Sequence, residues 1–266
     1  MYRGYNITKL EIDKLFHSIG YFDMANIDDY FIGQKTKIED SLYSVLHRMD
    51  EGRLDGKLIQ QDWFPGVNTH VFISHSHKDL PLAKSFASWL LGRFKIASFI
   101  DSCIWNYADD LLKIIDDKYC WNEKKKTYSY KKRNFSTSHV HMMLMTALSK
   151  MIDKSECVFF LNTPNSNIGE GIKSSTLSPW IYGEIEISRL IEKKRPTRQY
   201  TRKYDHGGRI IEIKEQLAIK YPLNLGHFYN LSHEVLLKWD TSALYNAEDA
   251  LDKLYKLTNK IPTLYD

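Results

Sequence analysis

Val71–Asp79 reads VFISHSHKD: three apolar residues, two of them β-branched, run straight into hydroxyl, imidazole, ammonium and carboxylate groups. A short apolar run that ends this sharply marks a buried strand delivering a polar loop. The strand reading covers His70–Ser74. Downstream, Leu82 to Phe94 carries Phe86, Trp89, Leu90 and Phe94 at helical spacing, and Ala97–Ile100 is strand-like and ends at Asp101. Val140 to Met151 reads as helix, Cys157–Leu161 as a fully apolar strand, and Trp180 to Ile191 as helix again. Val235–Trp239 fits a last strand and Ala247 to Leu257 a closing helix. Strands alternating with helices predict an α/β protein with a parallel sheet covered on both faces. Such sheets bind ligands beyond the carboxyl ends of their strands. The loops after Ser74, Ile100 and Leu161 are therefore expected to line one site.

Upstream, the pattern changes. Leu10, Ile12, Leu15, Phe16 and Ile19 recur at helical spacing, with Asn6 or Thr8 placed to cap them. Ile38 to Met49 carries a second helical run, and Asp62–Gly66, DWFPG, reads as a turn. Residues 1–66 are thus expected to form an N-terminal helical extension, and residues 67–266 the α/β domain. Two polar segments interrupt that domain, near 117–138 and 193–220. The first clusters Lys124, Lys125, Lys126, Lys131, Lys132 and Arg133 around Tyr128 and Tyr130. A solvated loop is the default reading of such a charge run.

Composition narrows the class. The 266 residues are 43% hydrophobic and 26% charged, enough to bury a core without staples. A whole-chain net charge of +4 is too small to call for nucleic acid, since dedicated binders concentrate their charge on one face. Cys103, Cys120 and Cys157 fit neither a zinc knuckle nor a disulfide framework, which points to reduced thiols. The amino-terminal stretch lacks the apolar core of a signal peptide, and no run approaches the roughly 18 apolar residues of a membrane helix. A cytoplasmic location with no membrane partner is expected.

Two clusters carry candidate chemistry. In Ser74-His75-Ser76-His77-Lys78-Asp79, the two histidines lack an evident third ligand for a metal. The loop also lacks the glycines of a phosphate cradle. Ser76 or Asp79 is expected to cap the following helix. In Ser178-Pro179-Trp180-Ile181-Tyr182-Gly183-Glu184, a helix puts Trp180 and Glu184 on one face, one turn apart. An indole can stack on a pyridinium or a base. A carboxylate can stabilise a developing oxocarbenium and bond ribose hydroxyls. The pair suits cleavage of an N-glycosidic bond, although tryptophan on a helix is more often core.

Taken in order, the strand into FISHSHKD, the amphipathic helix, the strand ASFID and the late SxWxxxE resemble the Toll/interleukin-1 receptor (TIR) family. The resemblance runs from about residue 68 to the end of the chain and implies a flavodoxin-like fold with a five-stranded parallel sheet. Family members with this glutamate split NAD into nicotinamide and ADP-ribose, or cyclise the ADP-ribose. Bacterial ones serve antiphage defence, as in Thoeris systems, where the nucleotide activates a separate effector. By resemblance, Glu184 is the catalytic carboxylate and Trp180 an aromatic platform. Ser74, His75, Ser76, Asp101, Ser102 and Trp105 would contact substrate. NAD would be substrate, with no metal or further cofactor, and self-association through the TIR domain is implied. After Asp101, the sequence lacks the glycine and the Arg-Asp and Pro-Gly pairs of receptor TIR domains, which speaks against receptor-style signalling. Two alternatives stand beside the enzyme: a non-enzymatic TIR scaffold, and a sensor that binds an ADP-ribose-type nucleotide without turnover.

Overall fold

Five strands build the central sheet: β1 (Arg3–Thr8), β2 (Val71–Ser74), β3 (Ser98–Phe99), β4 (Cys157–Asn162) and β5 (Phe228–Asn230). They lie in the order β5-β1-β4-β2-β3, all parallel. The structure is a computed structural model that describes residues 1–20, 27–33, 49–50, 53–105, 108–169, 174–194, 196, 219–241 and 246–259. The predicted helical run from Ile38 lies outside the described residues up to Met49, and most of the 193–220 segment lies outside them too.

Two compact units emerge. The first combines Met1–Asp28, Asn68–Ile100 and Ile152–Asp266, and holds the sheet. Strands β2, β3 and β4 fall where the apolar runs predicted them, and a parallel α/β architecture results. Arg3–Thr8 departs from the expectation of a purely helical stretch over residues 1–66. It is a strand in the sheet interior, paired with β4 on one side and β5 on the other. Helix α1 (Lys9–Ile19) then follows as expected, with the Thr8 hydroxyl accepting the Glu11 N–H.

Alternation gives β1 two unlike faces. On one, Tyr5 stacks on Phe159 with ring centroids 5.3 Å apart. Helices α3 (Leu80–Phe94), α7 (His233–Asp240) and α8 (Ala247–Thr258) cover this face. Their contribution is aromatic: Phe94 stacks on Trp239 at 4.2 Å, and Trp89 meets Trp239 edge-on at 5.5 Å. Val235–Trp239, expected as a strand, is therefore corrected to helix. Its buried residues, Leu236 and Trp239, are three apart, and the Trp239 indole N–H donates to the Ala250 carbonyl at 2.8 Å. Arg3 is buried among Tyr2, Tyr229 and Tyr255, and donates to the Tyr255 carbonyl and the Thr258 hydroxyl of α8. The other face of β1 carries Gly4 and Asn6. Helix α6 (Pro179–Leu190) packs on that side of the sheet, where the Ser188 hydroxyl meets His227 Nε2 at 2.8 Å.

The second unit combines Asp29–Val67 with Asp101–Met151. It contains α2 (Gly56–Trp63), α4 (Ala108–Tyr119) and all but the last turn of α5 (Tyr130–Lys154). The Asp55 carboxylate accepts from Lys57 N and Leu58 N and so starts α2, which means Asp62 and Trp63 are helical rather than part of a turn. Residues 117–138 are largely exposed, as expected of a charge run, but form the end of α4, a hairpin and the start of α5 rather than a loop. Trp121–Asn122 and Thr127–Tyr128 form an antiparallel hairpin, and α5 begins at Tyr130. The hairpin turns where the Asn122 side chain accepts the Lys125 N–H and Lys126 adopts a left-handed φ of 50°.

Candidate functional site at the carboxyl edge of the sheet

Ser178 sets the register of α6. Its hydroxyl accepts the Ile181 N–H at 3.2 Å, and Pro179 occupies the first helical turn. Ile181, Glu184, Ile185 and Ser188 then form the buried stripe at spacings of three and four. A carboxylate on such a stripe is costly unless it is bonded. Ser74, the last residue of β2, supplies a bond by donating its hydroxyl to Glu184 Oε2 at 2.6 Å across 110 residues of sequence. Glu184 is only 4% exposed, and Trp180, one turn earlier, is half-buried. Two of the predicted site residues are thus in direct contact, and Trp180 sits on the same helix face.

The loop after Ser74 behaves differently from expectation. His75 is buried, with its Nδ1 donating weakly to the Ile73 carbonyl at 3.4 Å. Ser76 precedes a single 3-10 turn, His77–Asp79, and makes no side-chain cap there. Asp79 does not cap α3 either. Its carboxylate instead accepts from Thr163 Oγ1 at 2.5 Å and Asn165 Nδ2 at 2.8 Å. The expected capping role is therefore corrected. Asp79 ties the loop after β2 to the loop after β4, two of the three loops expected to meet.

Beside this tie, the same sheet edge opens into a cleft of about 910 Å³ at the ends of β1, β4 and β5. Its floor is a chain of carboxamides. Asn167 Nδ2 donates to Asn162 Oδ1, Asn162 Nδ2 to Asn6 Oδ1, and Asn6 Nδ2 to Asn230 Oδ1, at 3.0, 3.0 and 2.7 Å. Strand register relates the cleft to the Ser74–Glu184 pair. Asn6 is level with Asn230 and Phe160, and Ser74 is level with Phe160 from the other side. All four therefore stand in one row on one face, with Asn6 and Ser74 two strand spacings, roughly 10 Å, apart. Sequence reasoning missed the four asparagines, of which three come from separate strands and Asn167 from the loop after β4. The run Asn162–Asn167, NTPNSN, directly after the apolar strand, was the signal that could have found the loop.

Asp101, Ser102 and Trp105 belong to the second unit. Asp101 and Ser102 open the short helix Asp101–Ile104 and are half-buried. Trp105 is 4% exposed; its indole N–H donates to the Pro65 carbonyl at 2.9 Å and its ring meets Phe64 edge-on. Among the described residues, one group could approach a metal: Glu11, His233 and Glu234, with ligand atoms within 4.8 Å of one another. Glu11 has a structural use there, since it accepts the His233 backbone N–H at the start of α7 at 2.5 Å and pairs with the ring at 2.9 Å. Burial pushes the Glu11 carboxyl up, and the bonds from His233 and Lys14 more than offset it, leaving its pKa lowered. The thiols of Cys120 and Cys157 are free, and burial raises their pKa.

Comparison with protein-family models, with curated proteins and with solved structures gives no match for this chain. What stands is an α/β protein with a five-stranded, all-parallel central sheet and a polar carboxyl edge. No helix among the described residues is long and apolar enough to cross a membrane.

Proposed function

We propose that the chain is a TIR-type enzyme of bacterial antiphage defence that consumes NAD. The observation that supports this reading is the buried Glu184 carboxylate, held by the Ser74 hydroxyl at the carboxyl end of the sheet. A buried, oriented carboxylate beside a half-buried indole suits a reaction that develops positive charge on a sugar. In the proposed step, the bond between nicotinamide nitrogen and ribosyl carbon breaks, and its electron pair returns to the pyridinium ring. Nicotinamide departs neutral, so no general acid is required. Glu184 stabilises the ribosyl cation, Ser74 fixes the carboxylate's orientation, and Trp180 stacks on the departing ring. Water then attacks to give ADP-ribose, or a nucleophile of the ADP-ribose itself closes a cyclic product. That product would act on a separate effector in the cytoplasm, and self-association through the TIR-type domain would complete the assembly.

Nicotinamide release from NAD, followed by chromatography, tests this. Glu184→Gln keeps the shape and the Ser74 bond while removing charge, and is expected to lower turnover by about 10²–10³-fold. Equal release by wild type and Glu184→Gln, in the presence and absence of phage-infected lysate, overturns the proposal.

A further inference from the structure

The carboxamide-floored cleft has no part in the step just described, and its chemistry points to a ligand of its own. Each bond in the chain runs the same way, donor to carbonyl, from Asn167 to Asn230. Hydrogen bonds in series polarise one another. Asn230 accepts at its carbonyl and gives nothing onward among the described residues, so its amide N–H groups are strengthened donors at the end of the line. The bonds along the chain also use only half the capacity of Asn162, leaving a donor and an acceptor. Adjacent donors and acceptors on carboxamides match the edge of a nucleobase or a pair of ring hydroxyls. The charges at the rim cancel: Lys9 and Asp13 pair on successive turns of α1 at 2.6 Å. Leu10, 61% exposed, stands at the same rim, and Leu225 lines the cleft beside the strand ends. They offer apolar contact to a flat ring.

We infer that this cleft binds an uncharged nucleoside, with ring hydroxyls and base edge on the asparagines and the base face against the leucines. A site of this size at the carboxyl ends of parallel strands is where α/β sheets take ligands. The inference rests on the cleft alone and not on Glu184.

Isothermal titration of the full chain with adenosine tests it. Saturable binding is expected. Asn230→Asp, which removes the terminal donors, should weaken it about tenfold, the scale of one good hydrogen bond. Leu10→Glu, on an exposed position that the fold does not need, should weaken it by a similar factor through lost apolar contact. AMP should bind no tighter than adenosine, because the rim charge is balanced. The inference is overturned by absence of saturable adenosine binding to folded protein, by unchanged affinity in Leu10→Glu, or by a strong preference for AMP. Adenosine carries no nicotinamide, so a chain that fails to cleave NAD leaves this outcome unaffected.

Discussion

Gly4→Ala is expected to destabilise the protein through a single clash. Gly4 lies in β1, level with Phe228 of β5 and Val158 of β4. A Cβ added there would stand 2.0 Å from two carbons of the Phe228 ring, far inside van der Waals contact. Phe228 is fully buried, with its ring against His227 at 4.4 Å, so it has no solvent side to retreat to. Overpacking of this kind costs about 1–3 kcal/mol. Alanine recovers roughly 0.5–1 kcal/mol through the lower entropy of the unfolded chain. A net loss near 1 kcal/mol corresponds to a fall in Tm of about 2–4 °C for a chain of this size. Urea and thermal unfolding followed by circular dichroism measure it. Phe228→Leu shrinks the obstacle, so the double variant should be more stable than the sum of the singles by about 1 kcal/mol or more. If residues 1–8 lay outside the sheet, alanine would be neutral or stabilising. A change within about 0.5 kcal/mol of wild type, or strict additivity with Phe228→Leu, refutes the placement of β1.

The tie between loops and the second unit's buried acid give two further tests. Thr163→Val keeps shape but removes the hydroxyl that donates to Asp79 at 2.5 Å, and is expected to cost about 1–3 kcal/mol in urea unfolding; a near-neutral result would show that the tie contributes nothing. Asp116 is buried, which pushes its pKa up, but bonds from Ser136 at 2.5 Å and Arg133 at 2.7 Å more than compensate, so its pKa is lowered. Its stabilisation is therefore complete above about pH 4, the ordinary aspartate value, and is lost as pH falls through the lowered one. Ser136→Ala should lower the urea midpoint at pH 7, and the gap to wild type should narrow on acidification; a gap independent of pH contradicts it.

Legibility in the sequence followed from how local each signal was. Strands β2 and β4 announced themselves because both of their faces are buried, which writes a continuous apolar run. Helices α3, α6 and α8 showed apolar stripes, and Ser178 before Pro179 marked where α6 begins. The Ser74–Glu184 contact followed once those elements were in order, because each residue closes or rides a legible element. Strand β1, RGYNIT, was hidden for a physical reason. Its buried positions include a guanidinium held by three tyrosine rings, a glycine that makes room for Phe228, and an amide bonded to two other amides. None of these is an apolar side chain, and apart from Tyr2 beside Arg3 their partners lie far away in sequence. The stretch VLLKW in α7 was ambiguous, since a short apolar run fits either period, and Trp239's packing on Phe94 settled it as helix. The asparagine floor follows the same logic as β1. Asn162 and Asn230 each end a strand and Asn6 lies two residues before the end of β1, and each is unremarkable alone. The parallel register sets Asn6, Asn230 and Ser74 in one row with Phe160, and Asn162 follows on the same face level with Thr8, so this end of the sheet face becomes hydrogen-bonding. Comparing the last three residues of all candidate strands, rather than each strand with its own flanks, exposes these asparagines, because in a parallel sheet those residues share one edge.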